Sequence, residues 1–215
     1  MAYRATEHTK AKKAGTRNRI LKESRLLVAE GGFQAVAVAE VAKRSDIATG
    51  TIYRHFPSKG ELVAEVFRHS TQHELEAVTQ ASQLGGSCQD RLMHAIETFA
   101  DRALQSPRLA YALIAEPVDP LVEKERLSYR LAYAEAFEDV INEGVSTGEF
   151  VVQNSTISAA ALVGILSEAL VGPLAPQLQS YEQQVGQREA LTEEEKLTLI
   201  REIKSLALRS VAGRV

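Results

Sequence analysis

Residues 48–62 read ATGTIYRHFPSKGEL, a short segment that stops at a proline and runs into a strong helix-start signal. Pro57 lacks a backbone N–H and disfavours a helical residue before it, so 49–56 is predicted to be one short helix. Ser58 followed by Glu61 is typical of a capping box, in which each side chain bonds the other residue's backbone N–H. This box predicts that a long helix begins there and continues to about Gln83.

Two more short helices are predicted upstream of this segment. Thr16 can cap the first of them, which ends at the glycine pair 31–32. The second covers 38–44, and a tight turn at 45–47 separates it from the third. Three short helices with such a turn are the layout of a helix-turn-helix, which holds one exposed helix at an angle that fits the DNA major groove.

The third helix has a packed side with Ile52 and Phe56 and an opposite side of small and polar residues. Hydroxyl, phenol, guanidinium and imidazole groups suit contacts with phosphates and base edges, and a glycine lets the backbone approach DNA closely. The candidate DNA-contacting residues on this side are Thr49, Gly50, Thr51, Tyr53, Arg54 and His55.

The charge of the chain is unevenly distributed. Overall, 25 lysines and arginines stand against 28 acidic residues, which by itself argues against a nucleic-acid binder. Residues 1–70, however, hold 13 basic residues against 7 acidic ones, whereas 71–215 hold 12 against 21. This asymmetry indicates that residues 1–70 face a polyanion and that residues 71–215 have a different function.

Composition argues against several other classes of protein. The chain has 215 residues, of which 45% are hydrophobic and 25% charged, as in a globular protein rather than a disordered one. Its single cysteine, Cys88, excludes intramolecular disulfides and cysteine-built metal sites. The first residues do not resemble a signal peptide, and the most apolar segment, 157–171, is too short to cross a membrane. We therefore expect a cytoplasmic protein with no membrane partner.

The segment 48–62, together with Gly31-Gly32-Phe33 and Val41-Ala42-Lys43-Arg44, resembles the N-terminal DNA-binding domain of TetR/AcrR-family transcriptional regulators. The resemblance covers about residues 16–67. It implies a ligand-responsive repressor that binds a palindromic double-stranded operator as a homodimer and is released by an unknown small-molecule effector. We predict no cofactor and no enzymatic activity. The positions that the resemblance matches to base edges are Thr49, Gly50, Thr51 and Arg54, and those that it matches to phosphates are Tyr53, His55 and Lys59.

Three places depart from the pattern of that family. Val36 and Ala37 stand where a serine or threonine usually caps the second helix, so a cap and a phosphate contact are lost. Asp46 replaces a common turn glycine, and aspartate tolerates the left-handed conformation better than most residues. Ala48 replaces a capping serine, which suggests that Thr49 caps the third helix instead of reading bases.

The apolar spacing beyond residue 60 is helical throughout, which predicts an all-α chain of about nine helices. Gly172 and Pro173 are expected to end the helix before last, and Thr192 with Glu195 should cap the last helix. A loop or a ragged helix is expected over 175–190. The remaining predicted helices cover 90–105, 108–115, 120–144, 155–171 and 193–212. We divide the chain into a basic flexible arm (1–15), a helix-turn-helix DNA-binding domain (16–60) and an effector-binding and dimerisation domain (61–215).

The helix over 155–171 is apolar almost all round, so it needs two burial partners. One partner is the core of its own subunit, and the other is most simply the same helix of a second subunit, joined by the last helix in a four-helix bundle. The alternative is a helix buried centrally in its own domain. The candidate interface residues are Ala161, Gly164, Ile165, Val171, Ile203 and Leu206.

An effector pocket is expected between the helices of 90–144. Aromatic residues and arginines there could line it, with the tyrosines favoured because a buried hydroxyl needs a partner that a ligand can supply. The alternative for each residue is plain core. The candidate lining residues are Met93, Phe99, Arg102, Tyr111, Tyr129, Tyr133 and Phe137.

Other functions have weaker support in the sequence. His69 and His73 are four residues apart and could share a metal, but nearby Glu74 and Glu76 complete no obvious site, so we predict no metal. No nucleophile elbow or phosphate-binding loop frames a catalytic group. Two alternatives to the repressor remain, a constitutive DNA-binding regulator without an effector and a ligand-binding or enzymatic α-domain.

Overall fold

The computed structural model describes residues 7–175 and 191–213, and all regular structure in these ranges is helical. This confirms the predicted all-α class. Residues 1–6 of the predicted arm and 176–190 of the predicted loop lie outside the described residues. The described ranges contain nine α-helices and one short 3-10 turn (Phe33–Ala35): α1 (Glu7–Gly31), α2 (Val38–Arg44), α3 (Thr49–His55), α4 (Lys59–Ser82), α5 (Cys88–Gln105), α6 (Pro107–Ile114), α7 (Pro120–Thr147), α8 (Ser155–Leu174) and α9 (Glu193–Ala212).

Helix α1 begins well before the predicted cap. It starts at Glu7, so residues 7–15 are helical rather than part of a flexible arm, and the prediction that Thr16 caps this helix was wrong. The Thr16 hydroxyl instead donates to the carbonyl of Lys12, 3.1 Å away, as a threonine inside a helix does. The physical reason is that lysine and alanine dominate this stretch, and both favour helix without needing a buried face.

The turn between α2 and α3 follows the expected local chemistry. Asp46 adopts a left-handed conformation with φ of 50°. Ala37 and Ala48 occupy the cap positions of α2 and α3 without any side-chain capping bond. Thr49 is therefore the first helical residue of α3, and the expectation that it caps the helix was wrong.

Two other helix ends test the sequence signals. Thr192 and Glu195 form the reciprocal capping box predicted for α9. Helix α8, by contrast, does not end at Gly172 and Pro173 but includes both and continues to Leu174. Leu174 is buried in the core, so packing sustains the final turn although the proline supplies no N–H.

The buried residues form two clusters that meet along α4 and α6. The first joins α1, α2 and α3 to the start of α4, and it also includes Leu109 and Leu113 of α6. The second joins the rest of α4 to α5 and α7–α9. We call α1–α3 the head and α4–α9 the body. Helices α4 and α6 thus belong to the hydrophobic packing of both.

Candidate nucleic-acid interface and ligand cavity

Helix α3 lies on the head with one face buried and the other turned to solvent. Ile52 is 1% exposed and Phe56, just after the helix, is 3% exposed, whereas Tyr53 is 50% exposed. The expected DNA-contacting residues are all on the accessible side: Thr49, Gly50, Tyr53, Arg54 and, at the start of α4, Lys59 are exposed, while Thr51 and His55 are half-buried. This is the orientation that major-groove entry requires.

Arg54 is held along the helix by its neighbour. Its Nη2 donates to the Thr51 hydroxyl over 2.8 Å. The contact is exposed and gives the long side chain a preferred position without neutralising its charge. Thr51 and Arg54, both expected to contact base edges, are therefore joined by a hydrogen bond in the absence of DNA.

His55 has a different character from a solvated histidine. Its Nδ1 is buried and has no hydrogen-bond partner in the described part of the chain. Burial lowers the pKa of His55 below the ordinary value, and Lys13, Arg17 and Arg54 lower it further. The imidazole is therefore neutral at neutral pH, and any phosphate contact that it makes uses a neutral N–H donor.

The extension of α1 places Lys13, which was assigned to the flexible arm, on the same helix as Arg17. Lys13 and Arg17 lie one helical turn apart and close enough to His55 to affect its pKa. The guanidinium of Arg17 lies 5.0 Å from the centroid of the Phe56 ring and makes a 2.7 Å ion pair with Glu65. Lys13 and Arg17 are four residues apart, a spacing that places two residues on the same face of a helix. This signal was missed because residue 13 was assigned to the flexible arm.

One cation of the head is used internally. Arg44, at the end of α2, donates two hydrogen bonds of 2.7 Å to the Glu30 carboxylate of α1. It also bonds Glu40 one turn earlier, and these acceptors raise the pKa of the guanidinium. This fork fastens α2 to α1 and so supports the angle at which α3 is presented.

A cavity lies inside the body between helices α4, α5, α6, α7 and α8. The space between these helices amounts to about 730 Å³, a volume that includes open solvent at its mouth. Most of its wall is apolar. The lining residues are Phe67, Thr71, Glu74, Phe99, Arg102, Ala103, Ser106, Leu109, Ala110, Leu113, Ile114, Arg126, Tyr129, Arg130, Tyr133, Val163 and Ser167.

The expected lining residues divide into two groups. Phe99, Arg102, Tyr129 and Tyr133 lie on the cavity wall. Met93, Tyr111 and Phe137 do not, and their assignment is corrected: Phe137 is fully buried in the body core, and the other two pack against that core. An apolar residue in the core and one on a cavity wall have the same sequence spacing, so periodicity could not separate them.

Helices α4 and α8 supply wall residues that the sequence interpretation missed. Thr71 and Glu74 come from α4, and Val163 and Ser167 come from α8. Thr71 and Ser167 are buried hydroxyl residues on otherwise apolar helix faces, which was the available signal. Glu74 is paired with Arg102 over 2.5 Å and lies 3.7 Å from Arg25, so its charge is compensated.

The two tyrosines of the wall are bonded differently. The Tyr129 hydroxyl contacts the carbonyl oxygen of Arg68 at 3.1 Å and the side chain of Gln72 at 3.3 Å. Tyr133 packs edge-on against Phe99, with ring centroids 5.3 Å apart, and burial raises the pKa of its hydroxyl. Among the described residues, the Tyr133 hydroxyl has no hydrogen-bond partner.

A polar link joins the cavity to the head. Arg126, on the cavity wall, donates to the carbonyls of Leu113 and Glu116 over 3.0 and 2.7 Å. The Glu116 carboxylate accepts the buried backbone N–H of Phe33 at 3.1 Å. Arg108 donates to the carbonyl of Gly31 over 2.8 Å, next to the same turn. The turn that ends α1 is thus held by residues of the body.

A second surface lies on α8 and α9. Ala161 and Leu206 are exposed, and Gly164, Ile165 and Val171 are half-buried, so these five expected interface residues are accessible. The assignment of Ile203 to this surface was wrong, because Ile203 is 3% exposed and packs in the core of its own chain. A Cβ added at Gly164 would meet nothing within 4 Å. This surface is apolar, and residues beside it such as Ile157 and Leu197 are 67% exposed.

The length of α8 also corrects an expectation. Because it continues through Pro173, the helix has 20 residues and an 18-residue window of mean hydropathy 1.8, enough by length and composition to cross a membrane. Of that window, 39% is buried inside the protein. A helix that packs on its own core with one side and on a partner with the other has the same composition, so this feature alone is weak evidence for a membrane span.

Comparison with protein families and curated proteins gives consistent matches. Residues 20–66 match the family described as bacterial regulatory proteins, tetR family. The chain is similar to the HTH-type transcriptional repressor KstR2 of Rhodococcus jostii, with 28% identity over 142 residues that cover 64% of this chain and 69% of that protein. It is 33% identical over 98 residues to the repressor KstR of Mycolicibacterium smegmatis, a match that covers 45% of this chain and only 48% of that protein.

Solved structures share the whole architecture. The regulator FadR of Bacillus subtilis, in complex with stearoyl-CoA, superposes with a TM-score of 0.70 at 16% identity, covering 90% of this chain and 98% of that chain. A regulator of the TetR/AcrR family from Thermobifida fusca superposes with a TM-score of 0.65 at 21% identity, covering 93% and 98%. At these identities the likeness shows the fold alone.

Proposed function

From the premise that this chain belongs to the TetR family of transcriptional regulators, we propose that it is a ligand-responsive repressor. Regulators of this family bind DNA and usually act as dimers. Our proposal adds that a homodimer binds a palindromic operator through residues 16–60 and releases it when an effector enters the cavity of 61–215. The protein would carry out this function in the cytoplasm, with no cofactor.

The exposed face of α3 is the observation that carries this proposal. Its buried face fastens the helix through Ile52, while Tyr53 and Arg54 are left to reach a duplex. The nearby cations of α1, Lys13 and Arg17, add positive charge beside the same face. Phosphate contacts supply most of the affinity of such an interface, and base contacts supply its specificity.

The apolar surface of α8 and α9 supports the homodimer. An exposed stripe with a glycine at its centre lets two helices approach closely, which suits a second copy of the same surface. Two copies of α3 must lie about 34–36 Å apart to enter successive major grooves, so the operator should be close to a palindrome.

The effector mechanism we propose is thermodynamic linkage between the cavity and the head. Helix α4 begins with Lys59 at the DNA-binding face and carries Thr71 and Glu74 on the cavity wall, so it connects the two sites directly. The bonds from Arg126 through Glu116 to Phe33 form a second connection. A ligand that binds one arrangement of these contacts more tightly shifts the protein toward that arrangement and so changes the spacing of the α3 helices. The free energy of this shift cannot exceed the difference in the ligand's binding free energy for the two arrangements. The presence of a cavity connected to the head by α4 favours this repressor over a constitutive regulator.

The DNA-binding proposal is tested by selecting sequences from a random duplex library and measuring gel shifts with the selected DNA. Arg54→Ala and Tyr53→Ala should weaken binding about tenfold or more, because the first removes a contact with base edges and the second a contact with a phosphate. Arg201→Ala, an exposed arginine of α9, is the matched control and should bind normally. Specific binding that persists in both α3 variants would refute the assignment, as would failure of wild-type protein to select any sequence.

A further inference from the structure

A buried hydroxyl on the cavity wall, that of Thr71, lacks a hydrogen-bond partner in the described part of the chain. Thr71 is 5% exposed, and its Oγ1 is buried without a partner. Tyr133 is 7% exposed and lines the same cavity from α7. A buried hydroxyl without a partner costs roughly 1–3 kcal/mol, so natural structures rarely retain one unless something else satisfies it. Thr71 therefore indicates an oxygen or nitrogen atom on the ligand, and the Tyr133 hydroxyl on the same wall is available to bond that atom as well.

The charges around the cavity favour an anion. Arg130 is exposed where the cavity wall reaches the surface, and no ion pair joins it to any of the described residues. The carboxylate of Glu74, which would repel an anion, is neutralised by Arg102 at 2.5 Å. A negative group at the mouth could thus pair with Arg130 while remaining partly hydrated.

The positions of these groups set the spacing that a ligand must match. Arg130 and Tyr133 are three residues apart on α7, so their Cβ atoms are separated by about 5–6 Å. A ligand that meets both must carry its neutral oxygen within a few bonds of its acidic group. Much of the remaining wall, including Phe99, Leu113 and Val163, offers apolar contact to the remainder of the molecule.

We propose that the effector is an apolar carboxylic acid, or a derivative with another anionic head, that carries a hydroxyl or carbonyl oxygen near the acid group. Thr71 and Tyr133 bind that oxygen, Arg130 pairs with the acid, and the apolar wall holds the tail. This inference rests on the proposed function, because it names the ligand of the proposed effector cavity.

The test compares three probes of equal chain length by calorimetry on the full chain, below their micelle concentrations: 3-hydroxydodecanoate, dodecanoate and dodecyltrimethylammonium. The hydroxy acid should bind about fivefold more tightly than dodecanoate, the gain expected from a net hydrogen bond. Thr71→Val and Tyr133→Phe should remove this difference and leave dodecanoate binding within about twofold. Arg130→Gln should weaken both acids and abolish their preference over the cation, whereas Arg201→Gln should change nothing.

Equal binding of acid and cation by the wild-type protein would overturn the ligand assignment, as would a hydroxyl preference that survives in both hydroxyl variants. Gel shifts with selected DNA are measured on the same preparations, so that the two proposals fail separately. A protein that binds its selected DNA but none of the acids contradicts only the ligand class. A protein that binds the hydroxy acid as expected but no specific DNA contradicts only the repressor function.

Discussion

The backbone N–H of Phe33 donates to Oε2 of Glu116 over 3.1 Å, across 83 residues of sequence and within the buried contact between head and body. The carbonyl of the same glutamate accepts Arg126 of the cavity wall at 2.7 Å. One residue therefore contacts both the turn that ends α1 and the wall that would meet an effector. If a ligand displaced Arg126, the movement would be transmitted to the head through Glu116.

Glu116→Ala should destabilise the protein and weaken the response of DNA binding to effector. The change leaves the buried N–H of Phe33 without an acceptor, which costs about 1–3 kcal/mol in the free energy of unfolding. Glu116→Gln keeps an oxygen acceptor of the same shape and should recover most of the loss. Urea denaturation of the two variants measures the difference. An alanine variant as stable as the wild-type protein would show that this bond contributes nothing.

Gly32→Ala should be more destabilising than an ordinary glycine substitution. Gly32 has φ of +75°, and a Cβ there would lie 2.5 Å from Oε2 of Glu116. With ψ of −173°, this backbone lies in a region essentially restricted to glycine and costs an alanine about 1–3 kcal/mol, and the collision displaces the Glu116 carboxylate as well. Thermal denaturation should therefore show a clear fall in Tm. Gly85→Ala is the control, since its Cβ would meet nothing within 4 Å, and an equal fall in both variants would contradict the explanation.

The stability of the protein should decrease in mild acid partly because of His55. Its pKa in the folded protein is below the ordinary value of 6.5, so the unfolded chain takes up a proton at higher pH than the folded one does. The stabilisation that depends on a neutral His55 is present above pH 6.5 and is lost as the pH falls toward the folded pKa. The free energy of unfolding, measured by urea denaturation across this range, should fall less steeply in His55→Gln. Parallel curves for the two proteins would refute the role of this residue.

Gly164→Leu should separate the dimer without unfolding the subunit. A Cβ at this position would meet nothing within 4 Å in the single chain, whereas a second α8 packed on the same stripe would collide with the larger side chain. We expect a wild-type dimer and a monomeric variant with unchanged helical circular dichroism. Light scattering during size-exclusion chromatography measures the mass of each. A variant that remains dimeric would place the subunit contact elsewhere.

Most of the head could be predicted from residues close together in the chain. The proline at 57, the cap at Ser58 and the left-handed Asp46 mark helix ends through chemistry that acts within a few residues. The largest error in the head concerned the start of α1. Residues 7–15 have a helix-favouring composition but lack the apolar stripe from which a helix is predicted.

In the body, residue spacing could not predict which apolar residues lie in the core and which lie on a cavity wall or at the surface. Periodicity found the helices and the apolar residues, but it could not tell Phe137 in the core from Phe99 on a cavity wall, nor Ile203 in its own core from the exposed Leu206. These differences depend on which helix lies opposite. Sequence spacing describes one helix at a time, so it contains no information about the opposite partner.

The sequence by itself determined the helical class, the helix-turn-helix and the identity of the side chains on the exposed face of α3, because each follows from local backbone chemistry and the 3.6-residue period. Only the tertiary structure decided that Thr71, Tyr133 and Arg130 share a cavity and that Glu116 bonds Phe33. Such contacts join residues far apart in the chain, and their geometry exists only once all the helices have packed.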